Sequence, residues 1–303
     1  MNVFVTGATG LIGRAVARRL LARGDAVTAL SRSPGAAARL PAGVKLVLGD
    51  PSEAGAWQEA LAGADACLHL AGDPIVDGRW TAAKKRRIRE SRVRSTALVA
   101  EVVARGGPRV LVSGSAVGFY GDRGDEVLDE SSAPGEGFLP EVCRAWEEAA
   151  APAAARARVV LLRTGIVLSP EGGALPSLVR PFRLFAGGPL GSGRNYQPWI
   201  HLEDQARLAL FALDDARVAG PLNAAAPEPV TNRALARAIG HVLGRPSFVP
   251  APELAIRAAL GEAAVVVLAS QRVVPRKALD LGFRFEYPTV EPALRELLAT
   301  RAA

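Results

Sequence analysis

The segment Thr6-Gly7-Ala8-Thr9-Gly10-Leu11-Ile12-Gly13 carries three glycines at three-residue intervals, between an apolar run and a stretch of helical period. That setting suits a dinucleotide. Gly7 permits a tight turn, Gly10 lets backbone approach a pyrophosphate, and Gly13 lets the helix lie close on its strand. The helix start beyond Thr9, at Leu11 and Ile12, offers unpaired N–H groups and the positive end of the helix dipole to a phosphate. The next apolar run ends in Ser31-Arg32-Ser33, with no acid beside it. An acid there would hold a ribose 2′-hydroxyl, whereas an arginine accommodates a 2′-phosphate and can stack on adenine. The expected cofactor is therefore NADP(H), with the hydroxyls of Ser31 and Ser33 assisting. Asp50, after the third run, can accept from an adenine amino group. Leu70, Ala71 and Gly72 follow the fourth run at the same edge, and Ala71 and Gly72 lack bulk where ribose and phosphates must pass.

Proton-handling candidates are fewer. His201 has an ordinary pKa near ~6.5 and follows a glycine-rich loop that can reach a cleft. It can equally do no more than fix Asp204 at a helix start. Cys143 is a candidate acid or nucleophile with Arg144 beside it, or a small core residue. Trp146 is either a stacking surface for a planar ligand or a core aromatic. No His, Asp and Glu stand at metal-ligand spacing, so no metal is expected.

The elements that must position these residues follow from pattern. Asn2–Val5, Ala26–Leu30, Lys45–Leu48, Ala66–Leu70, Arg109–Val112 and Val159–Leu162 read as buried strands. Leu11–Ala22, Glu53–Leu61, Ala82–Ala104 and Glu141–Ala155 read as helices between them. Strand and helix alternating at this spacing predict an α/β fold, a Rossmann-type doubly wound parallel sheet. Residues 1–167 would form this domain, with a last strand returning near 221–225. Residues 168–303 would form a smaller, partly discontinuous domain capping the substrate side. Within it, Thr231 is placed to cap a helix over Arg233–Leu243, ended by Gly244 and Pro246.

The 303 residues are 49% hydrophobic and 22% charged, which excludes a disordered chain. The longest apolar runs fall far short of ~20 residues, so no membrane span is expected. The start MNVFVTGATG has neither a basic n-region nor an apolar h-region, and two cysteines make no disulfide framework. A soluble, cytoplasmic protein is the expectation. The net charge of +7 equals the excess between Arg79 and Arg94, where eight basic residues meet one acid, Glu90. Lys84 to Arg87 are consecutive, so they point all round the helix, and that segment is expected to project beyond the sheet. Only Trp80 interleaves with these charges, so no nucleic acid is expected. The expected partner is a small-molecule substrate; a homodimer stays open.

The glycine spacing, Asp50, His69-Leu70-Ala71-Gly72 and Ser113-Gly-Ser115 before Tyr120-Gly121 resemble an extended short-chain dehydrogenase/reductase. The resemblance is closer to an atypical epimerase-family subgroup with a C-terminal domain of unknown function. It rests on Arg163-Thr164-Gly165-Ile166-Val167-Leu168, Gly187-Gly188-Pro189, Trp199-Ile200-His201, Ala226-Pro227-Glu228-Pro229 and Gln271-Arg272-Val273. It implies bound NADP(H), with Gly165, Ile166 and Val167 at the nicotinamide end. Ser113 would stand near the nicotinamide ribose and Ser115 would touch substrate. One departure bears on mechanism. The family's Tyr-x-x-x-Lys pair is missing, because Gly124, Ile200 and Glu291 follow the three tyrosines at that spacing. The resemblance thus implies an oxidoreductase or epimerase-like enzyme whose proton donor comes from Ser115, His201 or Cys143. A non-catalytic NADP(H)-binding regulator is the alternative.

Overall fold

Alternate residues of each central strand face opposite helical layers, and this builds the two halves of the core. The computed structural model describes residues 1–299. Val3, Val5, Val27, Ala29, Leu68 and Val112 point to one side of the sheet and pack with helices α1 (Leu11–Ala22) and α6 (Leu202–Asp214). Phe4, Leu30, Cys67 and Leu111 point to the other, against α2 (Trp57–Ala62) and α3 (Ala82–Ala104).

Strands β1 (Asn2–Thr6), β2 (Ala26–Ser31), β3 (Lys45–Leu48), β4 (Ala66–His69) and β5 (Val110–Ala116) join the Arg158–Thr164 and Gly220–Ala224 strands in one sheet. All its pairings are parallel, and the spatial order is β3-β2-β1-β4-β5, then Arg158–Thr164, then Gly220–Ala224. The order reverses between β1 and β4, so the ligand crevice opens outside their carboxyl ends.

The fold class agrees with the sequence reading, with shifts at element ends. β5 runs on to Ala116 although Ser113-Gly-Ser115 is not apolar, because these residues keep pairing with the neighbouring Arg158–Thr164 strand and their hydroxyls are buried. The fourth helix, α4, spans Phe138–Ala150, and Ala151–Ala155 tightens into a 3₁₀ turn around Pro152. Thr231 caps α7 (Asn232–Leu243) through the Ala234 N–H at 3.2 Å, and Gly244 ends it with φ +62°. The chain beyond residue 168 does not stand apart from the sheet. It supplies α6 and the Gly220–Ala224 strand to the central layers, while Leu175, Val179, Trp199, Leu235, Ile239 and Leu294 form a second core. Among the described residues no helix is long and apolar enough to cross a membrane.

The basic helix is not free. Lys84 is buried and bonds Asp73 at 2.6 Å, which corrects the expectation of a projecting segment. Arg79 donates to the carbonyls of Ala258 and Ala259, and Lys85 pairs with Glu262. The later chain, including α8 (Glu253–Leu260), thus clamps the start of α3.

Candidate functional site

The glycine turn is built by close backbone approach. Gly7 adopts φ +70°, and a Cβ there would sit 2.8 Å from the Leu70 carbonyl carbon. At Gly13 a Cβ would sit 2.3 Å from the Gly7 oxygen, so only glycine lets α1 settle on β1. Gly10 differs: it is exposed, in extended conformation at the N-cap of α1, with no capping side chain and no acid in the first turn. The first N–H groups of α1, at Leu11 and Ile12, lack intrahelical partners and the dipole's positive end lies there. This cradle suits a pyrophosphate. We expect Gly10→Val to fold, since its backbone angles are ordinary, and to lose dinucleotide binding; retained thermal stabilisation by NADPH would contradict that phosphate placement.

A cavity of about 530 Å³ opens from this turn. Gly7, Thr9, Gly10, Ser31, Arg32, Ser33, Asp50, Leu70, Ala71 and Gly72 all line it. Arg32 is exposed, 3.9 Å from the Asp50 carboxylate. Three arginines not singled out from sequence join it: Arg39 from the turn after β2, and Arg87 and Arg94 from α3. With Ser91 they hold positions i, i+4 and i+7 of one helix face, a signal hidden inside the basic run.

The floor of the crevice is a directed hydrogen-bond chain. Ser95 Oγ donates to the Ser91 carbonyl at 2.7 Å, so it accepts from His69 Nε2 at 3.1 Å. His69 Nδ1 is then an acceptor, taking the Thr6 hydroxyl proton at 2.7 Å, and Thr6 Oγ1 accepts from the N–H groups of Leu70 and Ala71. The chain requires a neutral imidazole, and burial pushes the His69 pKa down to about 4. It ties the ends of β1 and β4 together at the switch point.

A second cavity, about 250 Å³, adjoins the first where Arg92 meets Gly72 and Asp73. Gly165 and Ile166 line it, with Cys143, Trp146, Gln197 and Gln271; Val167 does not, and packs toward the central core. Trp146 both faces this cavity and donates to Thr96 Oγ1 at 2.8 Å.

The proposed proton donors fare differently. Ser113 is fully buried and lines neither cavity. Ser115 is also turned away, because its hydroxyl donates to Glu147 Oε1 at 2.6 Å. Arg163 holds both oxygens of that carboxylate, at 2.8 and 2.9 Å, and donates to Tyr120 Oη at 3.0 Å. Tyr120 in turn donates to Asn223 Oδ1 at 2.7 Å, and burial pushes its phenol up to about 12. Ser115 thus serves a buried network beneath the sheet's edge. His201 lies outside both cavities: Nδ1 accepts the Glu203 N–H at 3.0 Å as the cap of α6, Nε2 donates to Glu296 at 2.9 Å, and the ring stacks on Tyr287. Cys143 does face the second cavity, four residues before Glu147 on α4. Its thiol is pushed up to about 12, by burial first and Glu147 second, which outweighs Arg92, so it is no thiolate at neutral pH. These placements correct the expectations that Ser115 touches substrate, that His201 reaches the cleft, and that Arg144 activates Cys143.

Comparison with known proteins now decides the family. Residues 3–225 match the model of the NAD dependent epimerase/dehydratase family, and residues 251–297 match a domain of unknown function, DUF1731. The chain belongs to the NAD dependent epimerase/dehydratase family. An epimerase family protein SDR39U1 homolog, chloroplastic, from Arabidopsis thaliana is 43% identical to this family member, over 98% of this chain and 87% of that protein. The crystal structure of human epimerase family protein SDR39U1 (isoform2) with NADPH superposes with a TM-score of 0.88 at 34% identity, covering 99% of each chain. A UDP-glucose 4-epimerase from Thermotoga maritima, solved with UDP-glucose, shares the fold at a TM-score of 0.80 and 17% identity, over 99% of this chain and 98% of that one.

Proposed function

We propose that this chain is an NADP(H)-binding oxidoreductase or epimerase-like enzyme acting on a small molecule. The observation that carries the reading is the first cavity, where the glycine turn and four arginines meet beside a second, shaped cavity. The human relative that was crystallised with NADPH supports the same cofactor here. Bound NADPH would supply a hydride. The residues of this chain bind and orient: the start of α1 holds the pyrophosphate, and Arg32 and Arg39 face the adenosine side. Thr164, Gly165 and Ile166 border the reacting end, and the apolar walls around Phe138 and Val142 exclude water from it.

NADPH is expected to bind more tightly than NADH. The double variant Arg32→Ala/Arg39→Ala should lose most of that preference, on the order of 1.5–3 kcal/mol if the contacts are charge-assisted. Equal affinity of the parent for both cofactors in titration calorimetry would sink the assignment.

A second reading, a cofactor-binding regulator without catalysis, is favoured by one observation. Ser115 and His201 are engaged elsewhere, and Cys143 stays protonated. Oxidation of bound NADPH by metabolite fractions separates the two readings, since a regulator would leave it reduced.

A further inference from the structure

Arg92 stands where the two cavities meet, and three of its five N–H donors are unused. Nη1 donates to the carbonyls of Asp73 and Ile88, each at 3.0 Å. Nε and Nη2 have no protein partner among the described residues. The adjacent acid, Asp73, is already paired with Lys84 at 2.6 Å. The guanidinium lies over the Trp146 ring, 5.0 Å from its centroid, and Gly72 leaves room for it: a Cβ there would be 3.2 Å from Cζ. A half-buried fork, held flat and unpaired by any carboxylate, lines a cavity whose other walls include Ile75, Phe138, Val142 and Val266. Such a cation is costly to leave unpaired, and its geometry matches a planar oxyanion in bidentate contact.

We propose that the second cavity binds a small monocarboxylate with an otherwise apolar body, its carboxylate paired with Arg92. This rests on reading that cavity as the substrate site. The rim sharpens the class. Asp122 and Glu136, both exposed, line the mouth, so a second anionic group there would meet like charge. A nucleoside-diphosphate sugar, with two phosphates, fits this distribution poorly, although a fold neighbour of low identity was solved with one.

The test uses the full chain and ¹⁹F line broadening of 4-fluorobenzoate, with 4-fluorobenzamide as its neutral counterpart, each measured with and without NADPH. Benzoate is expected to bind about tenfold or more tightly than benzamide. Arg92→Met should abolish that preference while keeping NADPH affinity, read from cofactor fluorescence. Val265→Trp, which places a large ring at an exposed lining position of the same cavity, should weaken both probes and guards against a misfolded Arg92 variant. Equal binding of the two probes overturns the proposal, and so does displacement of fluorobenzoate by UDP-glucose at lower concentration. Loss of NADPH affinity in Arg92→Met also overturns it, because Arg92 would then serve the cofactor's phosphates. If the parent binds fluorobenzoate but not NADPH, the functional reading fails and the anion site stands.

Discussion

Arg163→Met is expected to destabilise the protein by about 3–5 kcal/mol, as is typical when one partner of a buried ion pair is removed. The Arg163 side chain is 4% exposed and that of Glu147 10% exposed. Without the guanidinium, the carboxylate keeps only the Ser115 hydroxyl, and Tyr120 Oη loses a donor. The aromatic face of Phe119, 3.5 Å from the guanidinium carbon, loses its cation as well. Glu147→Leu should cost a similar amount by stranding the arginine. The double variant should cost less than the two singles together, because it leaves no unpaired charge. Urea unfolding measures all three. An Arg163→Met cost below about 1 kcal/mol, the range of exposed pairs, would show that water reaches the network.

The same carboxylate occupies the position on α4 where a lysine would sit in a Tyr-x-x-x-Lys pair whose tyrosine stood at Cys143. A lysine there would help a phenol ionise. Here the residues are coupled into a structural tie between α4, the Arg158–Thr164 strand and the turn at Tyr120.

Acidification should weaken the protein through His69. Its folded-state pKa is about 4 against an ordinary 6.5, because the buried ring must stay neutral. A lowered histidine pKa leaves stability complete above pH 6.5, where both states are unprotonated. The unfolded chain binds the proton first as pH falls, so stability drops between pH 6.5 and 4, by about 3 kcal/mol in all. In His69→Gln this loss is absent, whatever the variant costs at neutral pH. Urea midpoints at pH 7 and pH 4.5 compare the two proteins. Identical pH slopes would show that the imidazole is not held neutral. The chain from Thr6 to Ser95 ties the strand ends that form the crevice, so NADPH binding should weaken over the same range.

Legibility in the sequence follows the range of the forces involved. Helices Leu11–Ala22 and Ala82–Ala104, the β3 strand and the Thr231 cap were readable because period, capping and glycine turns are local rules. The roles of Gly7 and Gly13 were readable for the same reason: Gly7 needs a positive φ in a tight turn, and Gly13 needs clearance against the backbone of that same turn. Gly7, Ser31, Arg32, Asp50 and Gly72 line one cavity because the turns that leave the carboxyl ends of a parallel sheet open on one crevice. The direction of polar side chains was not legible. Ser115 stands one residue from the cavity-lining Ala116, yet faces Glu147, since strand neighbours alternate and only α4's packing assigns each side its company. His201 follows a loop, and whether its ring turned to the cleft or to α6 depended on Glu296, 95 residues away. Lys84 and Arg92 read as part of a solvated charge run. Their burial was decided by Asp73 and Trp146, brought against α3 by the fold. Sequence alone determined the sheet and the glycine turn, which are matters of local spacing. Tertiary packing decided which charges face the ligand, because a charge is neutralised by whatever side chain arrives from elsewhere in the chain.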